Sequence, residues 1–454
     1  MVPVLPSQGT SPMIRSKHIV FILFHLYLTV FAVNSVVAQT LDANESAIVS
    51  WSEAHTGDAI DLLETLVNIN SGSLNQQGVK DVGAILRLEL DGLGFNTRWI
   101  DMPVDMKRGG HLFGEHPGKR GKKVLLIGHL DTVFEPDDDF QTFFREGLKA
   151  TGPGIADMKS GNVIIIYALK ALHHLGLLDA AQIMVAFTGD EELTGKPLSV
   201  SRKDLIEAGQ WADVALGFEG GVDSDGKEWT TIARRSASNW CLEVTGKQAH
   251  SSGIFKDSTG AGAIFEAARI LSAFYNEVRG EEYLTFNAGT IMGGTEVSAD
   301  CKTPQGRVFG KTNVVPNRVV VRGGMRTISQ EQLDRARDAM RAVVARNLPV
   351  TQASISFVDS YPPMSPTEGN RKLSEMLSEV NQDLGREAMP ILDPSRRGAA
   401  DISFVAPYTD GLAGMGPYGS GGHTQSESLD LESIPIAIQR AAILIYRLSR
   451  QESK

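Results

Sequence analysis

Hydrophobic positions along this chain fall into short unbroken runs separated by longer stretches of helical spacing. Val124, Leu125, Leu126 and Ile127 form one run, residues 183–187 a second and residues 214–218 a third. Such runs, bounded by polar residues, read as strands buried on both faces. Between and before them the period changes. Apolar residues recur at helical spacing over 46–69, over about 79–92 and over about 158–175, where Gly176 supplies a stop. The segment 163–167 is apolar on all sides, the mark of a helix enclosed between layers. With a further strand near Thr97, the alternation up to Glu219 predicts an α/β unit with a largely parallel sheet.

Around 222–227 the texture turns to Gly, Asp and Ser. The residues that follow read strand, helix, strand, strand, helix, strand over 237–245, 261–275, 287–292, 318–326, 330–346 and 353–358. That is an α+β unit of βαββαβ order. Tyr361-Pro362-Pro363-Met364 marks the return, and a helix over 434–448 closes the chain. The expected organisation is therefore one α/β domain from 39–228 and 360–454, carrying an inserted domain at 229–359. A length of 454 residues, with 42% hydrophobic composition, also exceeds what a single core organises.

Arg15 and Lys17 precede an apolar stretch over 19–33, and Val36-Val37-Ala38 offers small residues for cleavage. Residues 1–38 read as a secretory signal peptide, since the stretch is shorter than the roughly 20 residues that span a bilayer. A periplasmic or secreted protein without stable membrane insertion follows. Removing the peptide takes away those two cations and no acid, so the formal charge goes from −10 to −12, which excludes nucleic acid as a natural partner. Outside the cytoplasm Cys241 and Cys301 are free to pair, but two cysteines do not establish a bridge, and neither has C-x-x-C spacing.

Candidate chemistry sits where the strands end. Gly128-His129-Leu130-Asp131 follows the first run, Asp190-Glu191-Glu192 the second and Glu219 the third. In open α/β sheets the crevice beyond the carboxyl ends of the strands is where ligands bind. Asp157 closes a Gly-rich loop and opens the enclosed helix, so its charge is steadied by the helix N-terminus. His423 lies in the loop Gly419-Ser420-Gly421-Gly422-His423. Together His129, Asp157, Glu192, Glu219 and His423 make the mixed nitrogen and oxygen set expected for zinc with a position open to water. The chain has no His-Glu-x-x-His and no Gly-x-Ser-x-Gly, and 306–312 is one residue short of a phosphate-binding loop.

Four motifs carry a resemblance: Gly-His-Leu-Asp-Thr-Val at 128–133, Gly-Pro-Gly-Ile-Ala-Asp-Met-Lys-Ser-Gly at 152–161, Gly-Asp-Glu-Glu at 189–192 and Gly-Gly-His at 421–423. In order and context they resemble the two-zinc exopeptidase and deacylase superfamily, most strongly its glutamate carboxypeptidase branch. The resemblance implies one zinc held by His129 and Glu219, another by Glu192 and His423, and Asp157 bridging both. It implies that Asp131 orients His129, that Glu191 is the general base, and that the bond after Asp157 is cis. His250 is expected to reach the active site of a partner subunit in a homodimer, and Asn313 and Arg326 to bind the polar end of the substrate.

Two departures stand out. Gly324 replaces the usual Asp two residues before Arg326, and Tyr361 replaces an Arg that binds substrate in the glutamate carboxypeptidase. Arg318, Arg322, Arg396 and Arg397 are the candidates to replace that guanidinium. The expected activity is hydrolysis of an amide in peptidyl or N-acyl amino acids, as a carboxypeptidase. An aminopeptidase or N-acyl amino acid deacylase of the same fold is the alternative. A catalytically silent binding module is the reading from another class, and Glu191 beside intact ligands argues against it.

Overall fold

In the computed structural model, which describes residues 41–452, each apolar run is the interior of a strand. The expected signal peptide lies outside the described residues. Arg120–His129, Ala181–Thr188 and Val214–Gly217 lie side by side and parallel, and Asp410–Leu412 extends them at one edge. The register pairs His129 with Thr188 and Ile127 with both Ala186 and Gly217, so three strands finish along one edge of the sheet. The segments that leave these three strand ends carry His129, Glu191 and Glu192, and Glu219.

The sheet is parallel over these four strands only. His111–Pro117 and Asn96–Ile100 add to the other side antiparallel, and the first of these had no counterpart in the hydrophobic pattern. Its core positions include His111 and His116, whose rings meet the carbonyls of Ser201 (2.9 Å) and Ala181 (3.0 Å). Buried histidines satisfied in this way break the apolar signature of a strand.

Ser160–His174 is enclosed as its composition requires, with Val163, Ile164, Ile165, Ile166 and Tyr167 all buried. It packs against the closing helix Ser433–Leu448 and against two N-terminal helices, Ala43–Ala54 and Thr56–Val67. The periodic stretch 46–69 is therefore not one helix. The chain leaves helical geometry at His55 (φ −110°, ψ 14°), whose ring stacks on Trp51 at 4.0 Å and meets the Trp51 carbonyl at 2.8 Å.

The inserted α+β unit follows its predicted element order. Thr285–Gly294, Arg318–Arg326, Ala237–Gly246 and Thr351–Tyr361 form an antiparallel sheet in that spatial order. With the helices Gly262–Ala273 and Gln330–Val344 it encloses a separate core that includes Trp240, Leu242, Phe274, Val321 and Met340. Cys241 and Cys301 form a disulfide, which fastens the strand to the hairpin of Glu296–Ser298 and Arg307–Phe309. Among the described residues no helix is long and apolar enough to cross a membrane.

Candidate metal centre

His129 reaches the sheet edge because Gly128 lets the next layer close in. A Cβ on Gly128 would stand 2.2 Å from Asn162 Oδ1, and Asn162 Nδ2 donates to the His129 carbonyl at 2.6 Å. The imidazole is 2% exposed and presents Nε2 to Asp157 Oδ1 at 3.2 Å. The other Asp157 oxygen, Oδ2, lies 3.2 Å from His423 Nε2, and that same nitrogen lies 3.1 Å from Glu192 Oε2. One carboxylate thus faces two imidazoles from opposite ends of the chain. His423 occupies left-handed backbone (φ +63°), a conformation uncommon outside glycine and concentrated at functional sites. The peptide bond from Asp157 to Met158 is cis.

Donor atoms of His129, Glu191 and Glu192 lie within 4.8 Å of one another, and so do those of Asp157, Glu192 and His423. Glu192 Oε1 is buried with no hydrogen-bond partner, a costly state for a carboxylate unless a cation completes it. This donor set fits a pair of divalent cations. Glu219 lines the same cleft of 340 Å³ but turns Oε2 towards Arg234, with Arg397 at 3.7 Å. Four of the five expected ligands therefore converge directly, and the fifth shares the cleft while paired to guanidinium. Glu191, expected beside the ligands, stands within the His129 cluster.

The electrostatics reflect that concentration of charge. Burial disfavours charge on His129, yet hydrogen bonds to Asp131 and Asp157 carry its pKa well above the usual histidine value. Hydrogen bonds to Asp157 and Glu192 raise His423 to about 11. Asp157 is held low against the effect of burial by those two imidazoles. Glu191 is pushed far up by burial, with further upward pressure from Glu219, Asp401 and Glu192, and burial lifts Glu192 to about 7. Opposite charge held at hydrogen-bond distance shifts the two histidines and Asp157, whereas burial and crowding of like charge, which a cation relieves, shift the two glutamates.

The support of these groups differs in part from expectation. The second ring nitrogen of His129 lies 3.0 Å from the backbone carbonyl of Asp131 and 3.5 Å from its carboxylate. That carboxylate instead accepts from Ser73 Oγ (2.6 Å) and from the backbone N–H of Glu191 (2.9 Å) and Glu192 (3.0 Å). Asp131 fixes both glutamates as much as the histidine. Glu427, which the sequence did not single out, accepts from the N–H groups of Gly154, Ala156 and Asp157 at 3.0, 2.8 and 2.9 Å. Its signal was only an acid four residues after His423.

Tyr361 is buried behind the centre and donates to the Glu191 carbonyl at 2.5 Å. Below it a buried cluster joins Arg202 to Asp190 and Asp401, the latter at 3.0 Å. Asp401 is thus part of the foundation of the site. His250, Asn313 and Arg326 do not line the cleft in this chain. They lie in the inserted unit, with His250 and Asn313 at its surface, where His250 Nδ1 meets Ser252 Oγ at 2.8 Å. Arg326 Nη1 donates to the Ser236 carbonyl at 3.3 Å.

A parallel-sheet edge bearing paired nitrogen and carboxylate donors, with a half-buried glutamate beside them, defines a metallohydrolase. The chain belongs to the peptidase family M20/M25/M40, whose model matches residues 125–447, and it is accordingly a metallo-exopeptidase. It is similar to carboxypeptidase G2 of Pseudomonas sp. (strain RS-16), 28% identical over 429 residues, covering 92% of this chain and 95% of that protein. Its fold is similar to that of aminopeptidase PepT from Bacillus cereus ATCC 10987, with a TM-score of 0.66 and 18% identity over 87% of this chain and 98% of that one. It is also similar to YXEP of Bacillus subtilis, described as a dinuclear metal binding peptidase, with a TM-score of 0.59, 16% identity and coverage of 87% and 99%.

Proposed function

We propose that the protein is an exported, zinc-dependent carboxypeptidase that hydrolyses the amide of peptidyl or N-acyl amino acids. The observation that carries this reading is Asp157, whose two oxygens face His129 and His423 at 3.2 Å each with Glu191 half-buried alongside. His129, Asp157 and Glu219 are assigned to one ion, and Asp157, Glu192 and His423 to the other. Bound there, the ions supply Lewis-acid polarisation of the amide carbonyl and of the attacking water. Glu191 takes the proton of that water and passes it to the leaving amine, a role suited to a carboxyl whose pKa burial has raised. Asp131 and Tyr361 hold the backbone of Glu191 still while it does so.

The choice of carboxypeptidase is supported by similarity to carboxypeptidase G2 over nearly the whole chain. Export is supported by the signal-like N-terminus and by the Cys241–Cys301 disulfide, a bond at home in oxidising compartments. A homodimer through the inserted unit is supported by exposed Phe255, Ile264, Phe265 and Ile291 around an edge strand that has no further neighbour in its sheet. Such a dimer gives surface-exposed His250 a route to a second active site.

The test is hydrolysis of a panel of N-blocked and unblocked dipeptides after chelation and restoration of zinc. Release of the C-terminal residue from N-blocked substrates is the expected result. A strict requirement for a free amino group would instead mark an aminopeptidase.

A further inference from the structure

His250 is held by its own turn in one protonation form. It closes the short strand Ala249–His250, which pairs antiparallel with Val314–Val315, and the chain then makes a single 3-10 turn over Ser251–Gly253. That pairing joins His250 to Asn313, whose carbonyl accepts from the backbone N–H of Ser251 at 2.9 Å. Buried Val315 anchors the two-stranded platform, while His250 and Asn313 stay exposed on it.

Two groups of Ser252 reach the same ring atom. Its backbone N–H donates to His250 Nδ1 at 3.2 Å, and its Oγ lies 2.8 Å from that nitrogen. A backbone N–H can only donate, so Nδ1 is an acceptor and carries no proton. The hydroxyl therefore donates as well. A neutral imidazole then keeps its one proton on the other nitrogen, and Nε2–H has no partner among the described residues. Charge developing on a carbonyl oxygen is stabilised by such a donor, whereas the opposite tautomer presents a lone pair to it.

We propose that Ser252 is a positioning residue for hydrolysis: it fixes His250 in the Nε2–H form, so that the ring enters the second active site of the dimer as a hydrogen-bond donor to the carbonyl oxygen. This rests on the dimer reading above. Ser252 acts through the ring alone, holding both its rotation and the place of its proton.

The experiment uses the zinc-loaded mature enzyme and three substitutions that keep, weaken or reverse the contact. Ser252→Thr keeps a hydroxyl, Ser252→Ala leaves only the backbone N–H, and Ser252→Asp sets an acceptor where the donor stood. Nitrogen NMR of isotopically labelled histidine reads the tautomer at a pH where the imidazole is neutral, with the His250 signals identified as those missing from His250→Gln. On an N-blocked dipeptide kcat and KM are measured beside zinc content, Tm and sedimentation. Wild type and Ser252→Thr are expected to show an unprotonated Nδ1 and similar rates. Ser252→Ala should lose about 3–10-fold in kcat, the size of one hydrogen bond. Ser252→Asp should move the proton to Nδ1 and lose about 10²-fold in kcat, with KM within about two-fold, as for a donor felt only in the transition state. Should the Asp variant fail to fold or to dimerise, the Ala and Thr pair decides. A protonated Nδ1 in the wild type, or an unchanged kcat in both the Ala and Asp variants, overturns the assignment. A His250→Gln enzyme as fast as wild type overturns the dimer reading instead, and the nitrogen spectrum still decides the tautomer.

Discussion

A carboxylate serves two cations only when both of its oxygens are kept clear of the backbone that carries it. In the proposed centre Glu427 serves Asp157 in this way, since it occupies the N–H groups of residues 154, 156 and 157 and keeps them from the Asp157 carboxylate. Glu191 depends on position in the same way, and it is the residue at which chemistry and metal binding can be separated. Glu191→Gln keeps the shape and removes the proton acceptor. The expected outcome is retention of both metal ions with a loss of about 10²–10⁴-fold in kcat. Metal analysis by atomic emission beside the rate decides it, since equal loss of metal and activity would make Glu191 a ligand. At this scale His129, Asp157 and Glu192 were legible because they lie at or just beyond the end of a buried run or at the start of the enclosed helix, and His423 because a glycine-rich loop carries it. Glu427 and Arg234 were not, because a lone acid in a polar loop and an arginine before a strand are common in any chain.

Among elements, the passage into the inserted unit is fastened by Glu228. Its carboxylate pairs with Arg386 at 2.8 Å and Arg440 at 2.6 Å and accepts from Asn381 at 2.9 Å, which joins the strand Lys227–Trp229 to the helices Glu368–Asp383 and Ser433–Leu448. Burial would raise the Glu228 pKa, but Arg386, Arg440 and Asn381 hold it at about 2, below an ordinary glutamate at 4.5. Between those values the unfolded chain binds the proton more readily. The stability contributed is therefore complete above pH 4.5 and is lost as pH falls through 2. Allowing for screening at the partly exposed Arg386, this amounts to about 1–3 kcal/mol. Urea unfolding of wild type and Glu228→Gln should show that gap at pH 6 and a narrower one at pH 3. A constant gap would mean that Glu228 contributes through packing alone. Element identity was legible wherever a period persisted, as in all six pieces of the inserted unit. It failed at His55, where one residue divides a continuous apolar stripe, and at His111–Pro117, where buried polar rings take core positions.

At the scale of the whole molecule, the sheet-edge cleft and the surface of the inserted unit that bears His250 and Asn313 are separate in one chain. His250 and Asn313 lie exposed in that unit and outside the cleft, so under the proposed dimer a second copy would bring them to it. Wild type is expected to sediment as a dimer. Phe265→Asp, placed on the exposed helix face, should give a folded monomer with turnover reduced by about 10²–10³-fold, the loss typical of an absent oxyanion donor. A monomeric wild type at full activity, or a monomeric variant as fast as the dimer, would end the idea. The disulfide also belongs to this scale: the two cysteines are 60 residues apart in sequence, and only the antiparallel sheet and its hairpin bring them together.

From the order of residues alone came the α/β class, the inserted βαββαβ unit, and a candidate ligand set spaced over nearly three hundred residues. All of these follow from local periodicity and from chemistry concentrated at the ends of buried runs. Tertiary structure decided which groups face one another. It turned Glu219 towards Arg234, enclosed Tyr361 behind Glu191 and left Arg397 in the cleft. Pairing between distant charges depends on backbone direction and on what fills the space between them, and neither leaves a periodic trace in a linear chain.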